Sequence, residues 1–216
     1  MKHVVLIGAS GFVGSAILNE ALNRGHKVKA VVRHPEKITV KSENLLVVQA
    51  DVSSAEKVAE ICKGCDAVIS AYNPGWTNAN IYNETLAVYP AILSGVKKSG
   101  VQRLLCVGGA GSLFCAPGKR VVDAGFLPEE ILPAVRSLGE FYLNTLMNEK
   151  QIDWVFFCPA GNMAPGTRTG EFRLGKDDLI VNDKGESNIS VEDYAVAMID
   201  ELEKENHHRE RFTIGY

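Results

Sequence analysis

The stretch from Lys2 to Gly14, Lys-His-Val-Val-Leu-Ile-Gly-Ala-Ser-Gly-Phe-Val-Gly, constrains the fold more than any other part of the chain. Val4 to Ile7 form a continuous apolar run suited to a buried strand, and they lead directly into glycines at 8, 11 and 14. Val13, Ile17, Leu18, Ala21 and Leu22 then recur on one helical face. Gly8 permits a sharp exit from the strand, Gly11 has no side chain to hold a ligand off the main chain, and Gly14 lets the helix lie close on the sheet. Strand, tight turn and helix start in that order aim free N–H groups and the positive end of a helix dipole at an anion. The implied anion is the pyrophosphate of a dinucleotide. The GxxGxxG spacing is one residue wider than GxGxxG, and without its flanks the triplet would be an ordinary glycine-rich turn.

The rest of the chain repeats the strand–helix alternation. The first helix stops at Arg24-Gly25, and a second strand, Lys27 to Val32, ends in Arg33. An acidic residue at that strand end would bind the 2′-hydroxyl of NAD, whereas a guanidinium suits a 2′-phosphate, so Arg33 argues for NADP(H) over NAD(H). The competing reading is a solvated surface arginine. Leu45 to Gln49 is the third strand, followed by Asp51 and Val52, which would border an adenine pocket; Asp51 could equally cap the helix that Ser53 and Ser54 precede. Ala67 to Ser70 is the fourth strand, and small residues at its end let a cofactor cross the sheet edge. The turn-rich loop Asn73 to Asn80 should line a cleft, with Trp76 offering a flat surface for a ring.

A long helix, Ile81 to Ser99, precedes the fifth strand, Arg103 to Val107, and the cluster Gly-Gly-Ala-Gly-Ser112. That cluster either floors the reacting ring or is a flexible turn. Leu113 to Pro133 reads as a long connection, Ala134 to Lys150 as a helix, and Asp153 to Cys158 as a strand ending in Pro159 and Ala160. The polar, glycine-spaced region 160–188, with short strands expected at Glu171–Leu174 and Leu179–Val181, reads as a small substrate cap on a single domain spanning 1–216. Ser190 to Asp193 caps a final helix, His207 and His208 are expected in solvent, and Arg211 to Gly215 supplies a closing strand. Alternating β and α units imply an α/β fold of Rossmann type, a parallel sheet wound on both faces.

Composition narrows the partners. The chain is 46% hydrophobic and 23% charged with a formal net charge of −3, so there is no basic block to neutralise nucleic-acid phosphates or an anionic membrane. No apolar run is long enough to span a bilayer, and the first residues enter a strand directly, so a cytoplasmic location is expected. Cys62-Lys-Gly-Cys65 has CxxC spacing but closes a helix instead of opening one, and lacks a second ligand pair, which argues against redox work or a metal.

With these residues on the page, the chain resembles an atypical short-chain dehydrogenase/reductase, and is similar to the NADH-flavin reductases or NAD(P)-binding NmrA-like proteins. The likeness rests on Gly8 to Gly14, Arg33, Asp51-Val52, Val107 to Ser112, Pro159-Ala160 and Ile189 to Asp193. It implies that Gly8, Ala9, Ser10, Gly11, Phe12 and Val13 hold the pyrophosphate and Arg33 the 2′-phosphate. Ser70, Ala71 and Tyr72 would flank the ribose, with Gly108, Gly109, Pro159 and Ala160 beside the nicotinamide.

One departure redirects the chemistry. Alcohol-oxidising members use Tyr-x-x-x-Lys, a phenol acidified by a nearby ammonium, and no such spacing occurs in this chain. If Glu140 matches the glutamate that often follows the motif, Leu132 and Arg136 stand at the tyrosine and lysine places. Hydride transfer to a flavin- or quinone-like aromatic acceptor survives this loss, because the reduced ring can take its proton from solvent. Ser112 could donate a hydrogen bond to that ring, or merely cap its own loop. Two rival readings are a non-catalytic NADP sensor of NmrA-like type and a sugar-nucleotide epimerase or dehydratase relative. A monomer or homodimer is expected.

Overall fold

The computed structural model describes all residues from 1 to 216. In chain order the elements are β1 (His3–Ile7), α1 (Phe12–Asn23), β2 (Lys27–Val32), β3 (Leu45–Gln49), α2 (Ala55–Cys62), β4 (Ala67–Ser70), α3 (Ile81–Ser99), β5 (Arg103–Val107), β6 (Phe114–Ala116) and β7 (Lys119–Arg120). They continue with α4 (Leu132–Asn144), β8 (Asp153–Cys158), β9 (Asn162–Ala164), β10 (Arg173–Gly175), β11 (Asn188–Ser190), α5 (Val191–Lys204) and β12 (Glu210–Gly215). The main sheet runs β10-β12-β8-β5-β4-β1-β2-β3, parallel throughout except for β10, which joins β12 antiparallel.

Side-chain alternation along the central strands builds two cores. Val4, Leu6 and Phe157 face α1 and α5, while Val5, Ile7 and Phe156 face α2, α3 and α4. Strands buried on both sides need no polar face, which is why Val4 to Ile7 and Val155 to Cys158 are unbroken apolar runs. Phe157 stacks between Tyr194 and Phe212 at 4.4 and 4.1 Å, locking α5 and β12 to the sheet.

Several expectations change on contact with tertiary structure. The connection 113–133 contains the β6–β7 hairpin and short 3-10 turns at Val121–Asp123 and Glu129–Ile131. α4 stops at Asn144, and a 3-10 turn, Leu146–Asn148, swings Leu146 into the core. Leu179–Val181 is not a strand: Leu179 N–H donates to the Phe114 carbonyl at 2.8 Å, and the turn at Asn182 to Gly185 then diverts the chain. His207 is not solvated. Its ring stacks on Phe212 at 4.0 Å and its Nδ1 lies 2.8 Å or less from a carboxylate, at 2.7 Å from Glu201 Oε2. All five cysteines are free, and burial pushes the Cys62 thiol up to about 12, away from the thiolate form that reactive cysteines use.

The 160–188 region is anchored instead of loose. β9 and β11 pair in parallel, and Arg168 forks onto the buried Glu20 of α1 with two bonds of 2.8 Å. Ser190 caps α5 by accepting from Asp193 N–H at 3.0 Å. The Asp193 carboxylate does not reach back to the cap. It accepts from Thr169 N–H and Gly170 N–H, both at 2.8 Å, and from the hydroxyls of Thr169 and Tyr216 at 2.6 and 2.7 Å. Burial opposes its charge, yet these donors outweigh that cost and hold the carboxyl below the usual aspartate range. A lowered native pKa gives stability that is present above the unfolded value and lost as pH falls through the native one. Asp193→Ala strands two amides and should destabilise the fold by about 3 kcal/mol. Denaturant titration at neutral pH checks this, and the difference from wild type should shrink as the pH drops below about 4.

Candidate nucleotide-binding cleft

Strand order reverses between β1 and β4, so the chain leaves their carboxyl ends in opposite directions and opens a crevice there. The crevice is a cleft of about 430 Å³ lined by Gly8, Ser10, Gly11, Arg33, Asp51, Val52, Ala71 and Tyr72 among the expected residues. Gly8 leaves β1 at φ +79°, and a Cβ there would overlap the Ala71 carbonyl across the crevice. A Cβ on Gly14 would overlap the Gly8 carbonyl, so α1 docks on the turn only because both residues are bare. Gly11 differs. Its φ of −78° is open to any residue, and a Cβ would meet nothing closer than 3.4 Å. The protein itself does not require glycine at that position.

The start of α1 completes the cradle. The first-turn amides of Phe12, Val13 and Gly14 have no intrahelical acceptor, and no side chain caps the helix. There is also no acidic residue in the first turn to oppose an anion. A diphosphate fits these donors.

At the end of β2, Arg33 is exposed beside His34 and Lys37, which a 3-10 turn over Pro35–Lys37 brings to the same wall. Asp51 does not cap α2; Ser54 does, accepting from Lys57 N–H at 3.2 Å. Asp51 accepts from Ser53 N–H at 2.9 Å, and that bond, with the Arg33 charge nearby, keeps its carboxyl below the usual range. Opposite, the Tyr72 hydroxyl donates to Glu84 at 2.8 Å; burial and that carboxylate together push the phenol up. Sequence reasoning missed His34, Lys37, Ser53, Glu84 and Val88 in this lining, while Asn73 falls in the loop expected there. His34 and Lys37 were findable from their proximity to Arg33. Glu84 was not, since a helix acid twelve residues after Tyr72 carries no local signal.

Other expected residues lie elsewhere. Ala9, Ser70, Gly108, Pro159 and Ala160 are buried, Gly109 and Val13 are partly buried, and Phe12 turns its half-exposed ring toward a groove between α1 and α5. Gly108 is bare because Phe156 and Cys158 occupy its Cβ space, and Gly111 because Val135 of α4 does, so the glycine cluster is a packing joint. Ser112 is buried and donates to the Gly109 carbonyl at 3.1 Å, which makes it a loop cap and not a group facing a substrate. Trp76 is 62% exposed and does not line the cleft.

Fold and cleft together define an NAD(P)-binding Rossmann protein of oxidoreductase-like type. The profile of the NAD(P)H-binding family matches residues 8–205, and the chain belongs to that family. It is 42% identical over 212 residues to the uncharacterized protein YwnB of Bacillus subtilis, covering 97% of this chain and 96% of that one. A candidate epimerase from Bacteroides thetaiotaomicron superposes with a TM-score of 0.95 at 67% identity, covering all of this chain and 97% of the other. A candidate NADH-flavin reductase from Streptococcus pneumoniae superposes with a TM-score of 0.83 at 33% identity, covering 100% and 99%. No helix is long and apolar enough to cross a membrane.

The two glycines separate ligand from fold. Gly14→Ala should lower the melting temperature by several degrees, because helix and turn must move apart. Gly11→Leu should melt within about 2 °C of wild type while losing most nucleotide affinity, read by calorimetry. A large loss of stability in Gly11→Leu would show that the fold, not a ligand, demands the glycine.

Proposed function

We propose that the protein binds NADP(H) across the β1–β4 crevice, with the pyrophosphate in the turn Gly8 to Val13, on the free amides at the start of α1, and the 2′-phosphate on Arg33. His34 and Lys37 add donors and charge at the same end. Asp51 and Val52 border the adenine, and Ser70 to Tyr72 run beside the ribose. Gly108, Gly109, Pro159 and Ala160 floor the nicotinamide, with 160–188 covering the substrate. The observation that carries this reading is the bare Gly11 before an uncapped helix, a gap that the protein's own packing does not need.

Bound there, the cofactor supplies a hydride. What the chain adds is position, because neither Ser112 nor Tyr72 is suited to pass a proton. Ser112 is sealed in its loop, and Tyr72 holds its proton more tightly than a free phenol, the reverse of an acidified catalytic tyrosine. Such a site suits a flavin- or quinone-like ring, whose proton can come from water. A second reading, an epimerase, is favoured by the relatives: that name falls on the structure at 67% identity, the flavin-reductase name on the one at 33%. An epimerase must take its hydride back, so it has to keep its nucleotide through the cycle.

Calorimetry and NADPH absorbance separate these readings. Freely exchanging NADPH, oxidised by FMN or a simple quinone, supports the reductase. Nucleotide that survives purification and gel filtration supports the epimerase, and exchangeable binding without turnover supports a sensor. Arg33→Ala should weaken NADP+ about 10- to 100-fold, the worth of a charge-assisted pair, and NAD+ less than about threefold. Equal losses for both nucleotides would remove Arg33 from phosphate recognition.

A further inference from the structure

The residues between β4 and α3 connect the cleft wall to the surface through one carboxylate. Glu84, in the first turn of α3, accepts from the Tyr72 hydroxyl at 2.8 Å and from Asn78 Nδ2 at 2.7 Å. Tyr72 and Glu84 both line the cleft; Asn78 does not. Asn78 uses its other end as well, its Oδ1 accepting from Asn80 N–H at 2.9 Å. The other hydrogen bonds of the loop 73–80 close within the loop or onto the start of α3: Gly75 N–H to Asn73 Oδ1 at 2.7 Å, Asn78 N–H to the Gly75 carbonyl at 3.0 Å, Asn83 Nδ2 to Asn80 Oδ1 at 2.8 Å, and the N–H groups of Ile81 and Glu84 to the Asn78 and Asn80 carbonyls, both at 3.0 Å. The loop is therefore closed on itself and on α3, and its side-chain tie to the Tyr72 wall of the cleft is Asn78–Glu84–Tyr72.

The tyrosine end of this chain is equally constrained. The Tyr72 ring meets Tyr89 edge-on with centroids 5.7 Å apart, and the Tyr72 carbonyl accepts from the Tyr89 hydroxyl at 2.9 Å. The Tyr72 backbone is held by the core, so its freedom lies in the side chain, whose hydroxyl shares the Glu84 carboxylate with Asn78. The loop also carries Trp76, exposed on the surface, whereas the other tryptophan, Trp154, is buried on β8.

We infer that Glu84 is a positioning residue that couples occupancy of the cleft to the placement of the surface loop 73–80. A nucleotide pressing on Tyr72 is registered at Trp76 through the shared carboxylate. This rests on the cofactor reading above. The coupling gives the cleft an external readout, a loop whose position differs between nucleotide-bound and free protein.

Trp76 itself is the probe. NADP+, which does not absorb at indole emission wavelengths, is titrated into the full-length protein while tryptophan emission is followed, with calorimetry on the same samples. Wild type should show a saturable change in emission that is absent from Trp76→Phe. Asn78→Ala cuts the tie outside the cleft: it should bind NADP+ within about threefold of wild type by calorimetry but lose at least half of the emission change. Glu84→Gln keeps one acceptor and gains a donor, so it should bind more weakly and also lose the change at saturation. Calorimetric binding with no Trp76 response in wild type, or a full response in Asn78→Ala, overturns the coupling and leaves the cofactor site standing. Absence of calorimetric binding overturns both.

Discussion

The contact on which the site depends is the one between the Gly8 carbonyl and the Cα of Gly14. α1 approaches the turn so closely that no Cβ fits on Gly14, and in that position its first three amides face outward with no partner in the protein. Unsatisfied donors at a helix start are costly when buried and useful when an anion is to be held. One steric fact thus sets both the packing of the first βα unit and its chemistry. A methyl group at Gly14 would push the helix out and misdirect the donors at once.

Around that contact the sheet does the remaining work. The reversal of strand order at β1 and β4 leaves a gap that no crossover helix fills, and the ends of β2 and β4 supply its walls. Arg33 and Lys37 gather on one wall with His34 between them, while Tyr72 and Glu84 stand on the other. The two faces of the sheet are then closed by different helix sets, α1 with α5 and α2 with α3 and α4. The segment after β8 is pinned to the first of these sets through Arg168–Glu20 and through Asp193. Both carboxylates are buried, and each takes several donors, as buried charges must.

What could be read in advance depended on whether a feature was local. The first five main-sheet strands and the helix α3 ended where expected because apolar runs and stop residues lie next to each other in the chain; Gly100, left-handed at φ +84°, ends α3. The turn Gly8 to Gly14 was legible for the same reason. Arg33 was placed correctly at the strand end, and its companions one and four residues on could have been counted. Glu84 and the burial of Ser112 could not, since each is decided by a neighbour brought up by folding: Tyr72 on the same wall of the crevice, and Val135 of α4 pressed on the loop that holds Ser112. Gly108 and Gly111 have their Cβ space filled by Phe156, Cys158 and Val135, and a missing Cβ looks the same in sequence whether a cofactor or a neighbouring side chain fills that space.

The order of residues alone determined the alternating β and α units, the glycine turn and the missing Tyr-x-x-x-Lys spacing, since all of these are set by neighbours within a few positions. Only the folded chain decided which of the bare and polar residues face open space. That choice belongs to packing between segments far apart in sequence, where a Phe156 ring or a Val135 side chain can claim a site before any ligand does.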